Sequence, residues 1–285
     1  MFPEPIQILY RIMLKFIYAL FVFGLLISGG SGFAQNESSP TSDEKPAWKQ
    51  HASTSIGLNF NRSYDQRLAE RSFYGLGIDL GIGDRWVRPH TWLEYEILLN
   101  QMAAVPAHGE HLLFGGFFEA SYRQLHRLKN SSPWRIHLGG EAGGFFNGRL
   151  HNGLGNSNIH MEWSGYLGAL AQVAREVKLP LLKGPSTVAA RLHLPLFSYV
   201  GRLPSYALPG LETPAHYFRP TGGFTRIKTV LSITRPRGKN NPNLGQLAYV
   251  WDFYALNEGS NEARQRLRFA THSLRWTVWL RKGDV

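Results

Sequence analysis

Cysteine is absent from the 285 residues, so the chain can build neither a disulfide framework nor a thiolate metal site. Acid is scarce: 20 Asp and Glu stand against 31 Lys and Arg. Long apolar runs occur in one place only, residues 16–28, and nothing after it could cross a bilayer as a helix. Strong amphipathic helices are missing as well. The best helical face, Trp163, Leu167, Leu170 and Ala174, is weakened by Gly165 and Gly168 and overlies an unbroken alternation of period two. These gaps leave an all-β protein without covalent staples.

The chain opens with an export signal. Met13-Leu14-Lys15-Phe16 is a short positive region, and an apolar stretch with Phe21, Phe23, Leu25 and Leu26 follows. Small residues then lead to Gly32-Phe33-Ala34-Gln35, with a cut after Ala34. Met13 is an alternative to Met1 as the true start. Residues 1–34 therefore read as a signal peptide, 35–47 as a polar, Ser/Pro-rich lead-in, and 48–285 as one folded body. Removing Glu4, Arg11 and Lys15 with the signal leaves 29 basic against 19 acidic residues. In an exported chain this excess points to anionic lipid headgroups or lipopolysaccharide phosphates. Nucleic acid is not an expected partner.

What recurs is alternation. Ala52, Thr54, Ile56, Leu58 and Phe60 oppose Ser53, Ser55, Gly57, Asn59 and Asn61; Tyr74, Leu76, Ile78, Leu80 and Ile82 oppose Gly75, Gly77, Asp79, Gly81 and Gly83. The pattern repeats along the chain and ends with Leu274, Trp276, Val278 and Leu280 opposite Ser273, Arg275, Thr277 and Trp279. About ten such runs are present, with twelve as the alternative if the long segment 201–222 hides a hairpin. Junctions at 83–89, 128–133, 179–185 and 235–242 alternate with longer ones, of which 201–222 is the longest.

Alternation alone fits a soluble sandwich with apolar faces inward or a transmembrane barrel with apolar faces outward. Three details favour the barrel. Most runs reach the roughly 9–11 residues that a tilted strand needs to cross. Aromatics cap the apolar faces near strand ends: Phe60, Tyr74, Tyr122, Trp134, Trp163, Trp276 and Trp279. The polar faces are rich in Gly and Ser, which suits a narrow lumen. The signal, the repeated strands and the closing stretch SLRWTVWL at 273–280 together resemble the outer-membrane β-barrel proteins of Gram-negative bacteria. That closing strand is similar to the signal which the barrel-insertion machinery reads, although Arg281 to Val285 follow it. The resemblance implies an all-β, single antiparallel transmembrane barrel in the cell outer membrane, in contact with outer-membrane lipid and lipopolysaccharide. Its assembly partner is the insertion machinery, and an envelope protein is a further possible partner.

The inward faces carry nearly balanced charge, which reads as a plug of ion pairs and not as a selective ring. The candidate lumen network is Glu119, Glu141, Arg123, His137, Arg226 and Asp252. A symmetric turn at 128–133 sets Glu119 beside Glu141 and Arg123 beside His137, and Arg226 falls opposite Asp252. His160 and Glu162 form a candidate pair near the outer rim. No catalytic residue, metal site or cofactor is assigned. The functional expectation is a non-catalytic barrel, either a narrow solute passage or an accessory subunit of an envelope complex; the alternative is a barrel-rim hydrolase acting on lipid or peptide.

Overall fold

The computed structural model describes residues 47–65, 69–106, 111–128, 134–152, 159–178, 185–202, 215–220, 224–238, 241–258 and 265–284. The segment read as a signal peptide, and the expected lead-in up to residue 46, lie outside these residues. All described structure is strand and turn: β1 (Lys49–Asp65), β2 (Ala69–Val87), β3 (Thr91–Pro106), β4 (Leu113–Arg127), β5 (Trp134–His151), β6 (Ile159–Lys178), β7 (Pro185–Arg202), β8 (Ala215–Pro220), β9 (Phe224–Gly238), β10 (Asn241–Glu258) and β11 (Gln265–Asp284).

Neighbours along the chain pair antiparallel, β1 pairs with β11, and β7 pairs with both β6 and β9, so the sheet closes on itself. Ten strands make the ring. The remaining strand, β8, pairs with Phe197–Arg202 of β7, while β9 takes up Thr187–His193 of the same strand. Together β8 and β9 fill one ring position as a strand with a break. The twelve-strand alternative therefore fails: the long segment adds a strand but no new position. Its other residues, 203–214 and 221–222, lie outside the described region. Closure answers the chemistry of a spanning sheet, in which every backbone N–H and C=O needs a partner within the protein.

Orientation is set by the side chains. Leu58 and Leu76 are 72% exposed and Leu274 is 56% exposed, and Ile56 and Leu192 also point outward. On alternate positions Glu119 is 1% exposed and Arg123 2%, with Glu141 buried as well. A soluble protein would bury the first set and solvate the second. The barrel is apolar outside and charged inside, the arrangement of a membrane-spanning barrel.

The strands run further than the alternation first suggests. Those of the ring have 15 to 20 residues. Arg62–Asp65 belong to β1 and Ala69–Arg71 to β2, which leaves only 66–68 between them, although the clean alternation of the first run stops at Asn61. Trp279 does not cap the apolar face: it is 5% exposed and faces the lumen, as its alternation with Ser273, Arg275 and Thr277 has it, while Trp276 faces outward. Phe60, Tyr74, Tyr122 and Trp134 are exposed on the lipid side, whereas Trp163 is half-buried.

The lumen also holds an apolar layer that the polar inner faces do not announce. Phe73, Leu113, Phe117, Phe145, Tyr254 and Phe269 are buried in one cluster toward the end remote from the termini. Ring centroids are 5.3 Å apart for Phe117 and Phe145, 5.4 Å for Phe145 and Tyr254, and 5.2 Å for Tyr254 and Phe269. Room for side chains that cross the lumen comes from glycine on β2. A Cβ on Gly77 would stand 1.9 Å from the Gln101 carbonyl oxygen and 2.6 Å from Asn59 Oδ1.

Candidate functional site

The inward polar residues assemble into three layers stacked along the barrel axis. The first lies nearest the chain termini and is centred on β3 and β4. Arg123 Nη1 donates to Glu94 Oε1 and Glu96 Oε2, both at 2.9 Å, and its Nε donates to Glu141 Oε1 at 2.8 Å. Glu94 also receives Arg85 Nε at 2.8 Å and Arg191 Nη1 at 2.9 Å. His193 Nδ1 lies 3.0 Å from the second oxygen of Glu141. Arg275 Nη1 reaches Glu96 at 3.0 Å, and its Nη2 stands 3.4 Å from Asp79, which Asn59 and Asn100 hold at 2.7 Å each and Ser273 also contacts. A single guanidinium on β4 that touches three carboxylates from the strands on either side of it, β3 and β5, is a cross-brace.

The second layer is built on Arg226 and Glu119. Arg226 Nη2 donates to Glu119 Oε2 at 2.9 Å and to Asp252 Oδ2 at 2.6 Å, while Nε donates to Asp252 Oδ1 at 3.0 Å. Lys228 Nζ and Tyr166 Oη complete the shell of Glu119 at 2.9 and 2.6 Å. The guanidinium carbon of Arg226 is 5.4, 5.2 and 5.4 Å from the ring centres of Phe117, Phe145 and Tyr166, which adds cation–π attraction in a desolvated setting.

The third layer closes the far end. Asp65 receives Arg202 Nη2 at 2.8 and 2.7 Å and lies 3.1 Å from Arg149 Nη2. Glu162 receives Arg149 Nη2 at 2.6 Å, Tyr254 Oη at 2.8 Å and Asn147 Nδ2 at 3.0 Å; Asn147 and Tyr254 also contact each other. Arg149 and Arg202 rank among the largest fully buried side chains.

The six candidate network residues thus divide. Arg123 and Glu141 belong to the first layer, and Glu119, Arg226 and Asp252 to the second. His137 joins neither: it is buried with its ring 4.8 Å from Trp92. The expected cross-strand register is displaced. Arg123 stands opposite Glu141, Glu119 opposite Phe145, and Arg127 opposite His137. Across β9 and β10, Arg226 stands opposite Tyr254 and Lys228 opposite Asp252, and Arg226 reaches Asp252 diagonally. Both pairings are displaced by an even number of residues, which preserves the face each residue occupies. Glu119 and Glu141 consequently share no proton, since each is neutralised by its own cations. His160 and Glu162 are not on an open rim. Both are fully buried in the third layer, where His160 Nδ1 is 3.7 Å from Asp65.

Asp65, Arg149 and Arg202 escape the sequence reading because their strands are ended too early. The parity that would find them is present: Asp65 continues Asn59, Asn61 and Ser63, and Arg149 continues Asn147. Among the described residues no group of three or more His, Asp or Glu side chains is arranged to hold a metal ion.

No protein-family model matches the chain. No curated protein matches it in sequence. Solved structures similar in fold include the outer membrane protease OmpT from Escherichia coli, at 8% identity and a TM-score of 0.46 over 86% of this chain and 99% of that one. The translocator domain of the autotransporter NalP from Neisseria meningitidis gives 11% identity and a TM-score of 0.44 over 84% and 90%. The COG4313 outer membrane channel from Pseudomonas putida F1 gives 8% identity and a TM-score of 0.35 over 86% and 100%.

Proposed function

We propose that this protein is a non-catalytic outer-membrane barrel that does not conduct at rest, and that it serves as an accessory or binding subunit of the envelope. The observation that carries the reading is the crossing of the lumen, between strands that are not neighbours, by ion pairs whose members are almost wholly buried: Arg226 and Lys228 with Glu119, and Arg149 and Arg202 with Asp65. A ten-stranded ring is narrow to begin with. To open a water path, several buried charges would have to lose their partners at once, each at a cost of several kcal/mol.

Chemistry at these groups is disfavoured by the same contacts. A general acid or base needs a proton it can exchange, and a carboxylate saturated by guanidinium has none to give. The test is conductance of the purified full chain in a planar bilayer. No steady ion current is the expected result; sustained current through the unmodified protein would overturn the reading.

The expected export signal and the even number of ring strands support a periplasmic position for both chain ends. The far end then meets lipopolysaccharide. There Arg62, Arg266 and Arg268 lie exposed on the outer face, with Arg62 over the Tyr74 ring at 5.5 Å. This outward basic cluster is proposed to contact lipopolysaccharide phosphates, consistent with the preference of interfacial Arg for anionic headgroups. Replacing all three with Gln should weaken co-purification of lipopolysaccharide several-fold while the fold is kept.

A further inference from the structure

At the end of the barrel where Lys49 and Asp284 pair, the lumen widens into a cavity of about 270 Å³ above the first ion-pair layer. Seven Lys and Arg side chains line it against two carboxylates, Glu94 and Glu96. Glu141 and Glu119, which pair with Arg123 and Lys228, are not among the residues that line it. The face turned to the cavity is therefore positive. An adjoining depression shares Lys49, Trp92 and Arg135 with it and adds Arg88 and Arg127, with no acid among its lining residues.

A second observation points to an acceptor. Gln172 is 3% exposed and lines the cavity. Its side-chain oxygen accepts from Arg191 Nε at 2.9 Å, which leaves the amide nitrogen as donor. That nitrogen is buried and has no hydrogen-bond partner among the described residues. A buried donor beside a positive wall is completed best by an oxyanion. The lining also has apolar side chains, among them Trp92, Val230 and Leu244.

We propose that this cavity binds a small organic anion. Its carboxylate or phosphate meets Arg191, Lys49 and the Gln172 amide, and its apolar body rests against Trp92, Val230 and Leu244. The volume is at the lower edge of ordinary ligand pockets, so the occupant is about the size of one substituted ring. The site depends only on the local geometry and stands whether or not the lumen conducts.

The test is isothermal titration of the full chain in detergent with phenyl phosphate, inorganic phosphate and benzylamine as probes. Phenyl phosphate should bind, inorganic phosphate should bind about tenfold more weakly, and the cation should not bind. Arg191→Gln and Lys49→Gln should each weaken phenyl phosphate at least about fivefold. Arg235→Gln, exposed on the outer face and outside both linings, should leave it unchanged. Should Arg191→Gln fail to fold, Lys49→Gln at the first position of β1 carries the test. The proposal is overturned by no detectable heat with phenyl phosphate, by equal binding of benzylamine, or by undiminished affinity in Lys49→Gln. Equal affinity for inorganic phosphate would overturn the apolar part of the site.

Discussion

Single residues carry most of the tension in this barrel, because a buried charge without its partner is far more costly than a buried pair. Glu162→Gln keeps the side-chain volume but removes the charge that Arg149 Nη2 meets at 2.6 Å, leaving Asp65 to face Arg149 and Arg202 alone. We expect a loss of about 3–5 kcal/mol, read as a lower denaturant midpoint for the folded, unboiled gel band. An unchanged midpoint would show that the third layer is dispensable. On the opposite face, Leu274→Arg tests orientation. Next to lipid it should cost about 2–4 kcal/mol near the bilayer midplane, whereas a water-exposed site would tolerate it within about 0.5 kcal/mol. Much at this scale is legible in sequence. The side taken by Glu119, Arg123, Glu141 and Arg226 follows from parity alone. Which residue each one meets does not follow, because parity is silent about even displacements of a hairpin, and 128–133 carries no two-residue turn signature to fix them.

At the scale of elements, the strands were readable by type and less so by extent. Alternation marks all ten ring positions, yet it stops being convincing where polar residues sit on both faces, as at Asn61-Arg62-Ser63-Tyr64-Asp65. There the backbone ladder carries the strand onward, through pairs such as Tyr64↔Arg268 and Asp65↔Leu267. Strand β8 was hidden for another reason. A six-residue segment among prolines has no period to show, and its place depends on the upper edge of β7, for which β9 has no partner residues. Because β7 is held along its length by β6 from Pro185 to Arg202, the ring should survive loss of β8. Deleting residues 203–220 and joining the ends should leave a protein that still migrates differently before and after boiling. Loss of that difference would mean that β8 completes the barrel.

Taken as one object, the molecule has an apolar exterior, a cross-braced interior and one unequal seam. The ladder between β1 and β11 runs from Lys49 to Asp65, but β7 and β9 pair only over Thr187–His193 before β8 takes over. Rings under load part at their weakest joint. In a single-molecule pulling experiment the first rupture should therefore fall between β7 and β9, and in deuterium exchange the amides there should open before those joining β1 to β11. Joining that seam with an engineered disulfide, in a chain that otherwise has no sulfur bridge to make, should raise the rupture force more than the same staple placed across any other pair of staves.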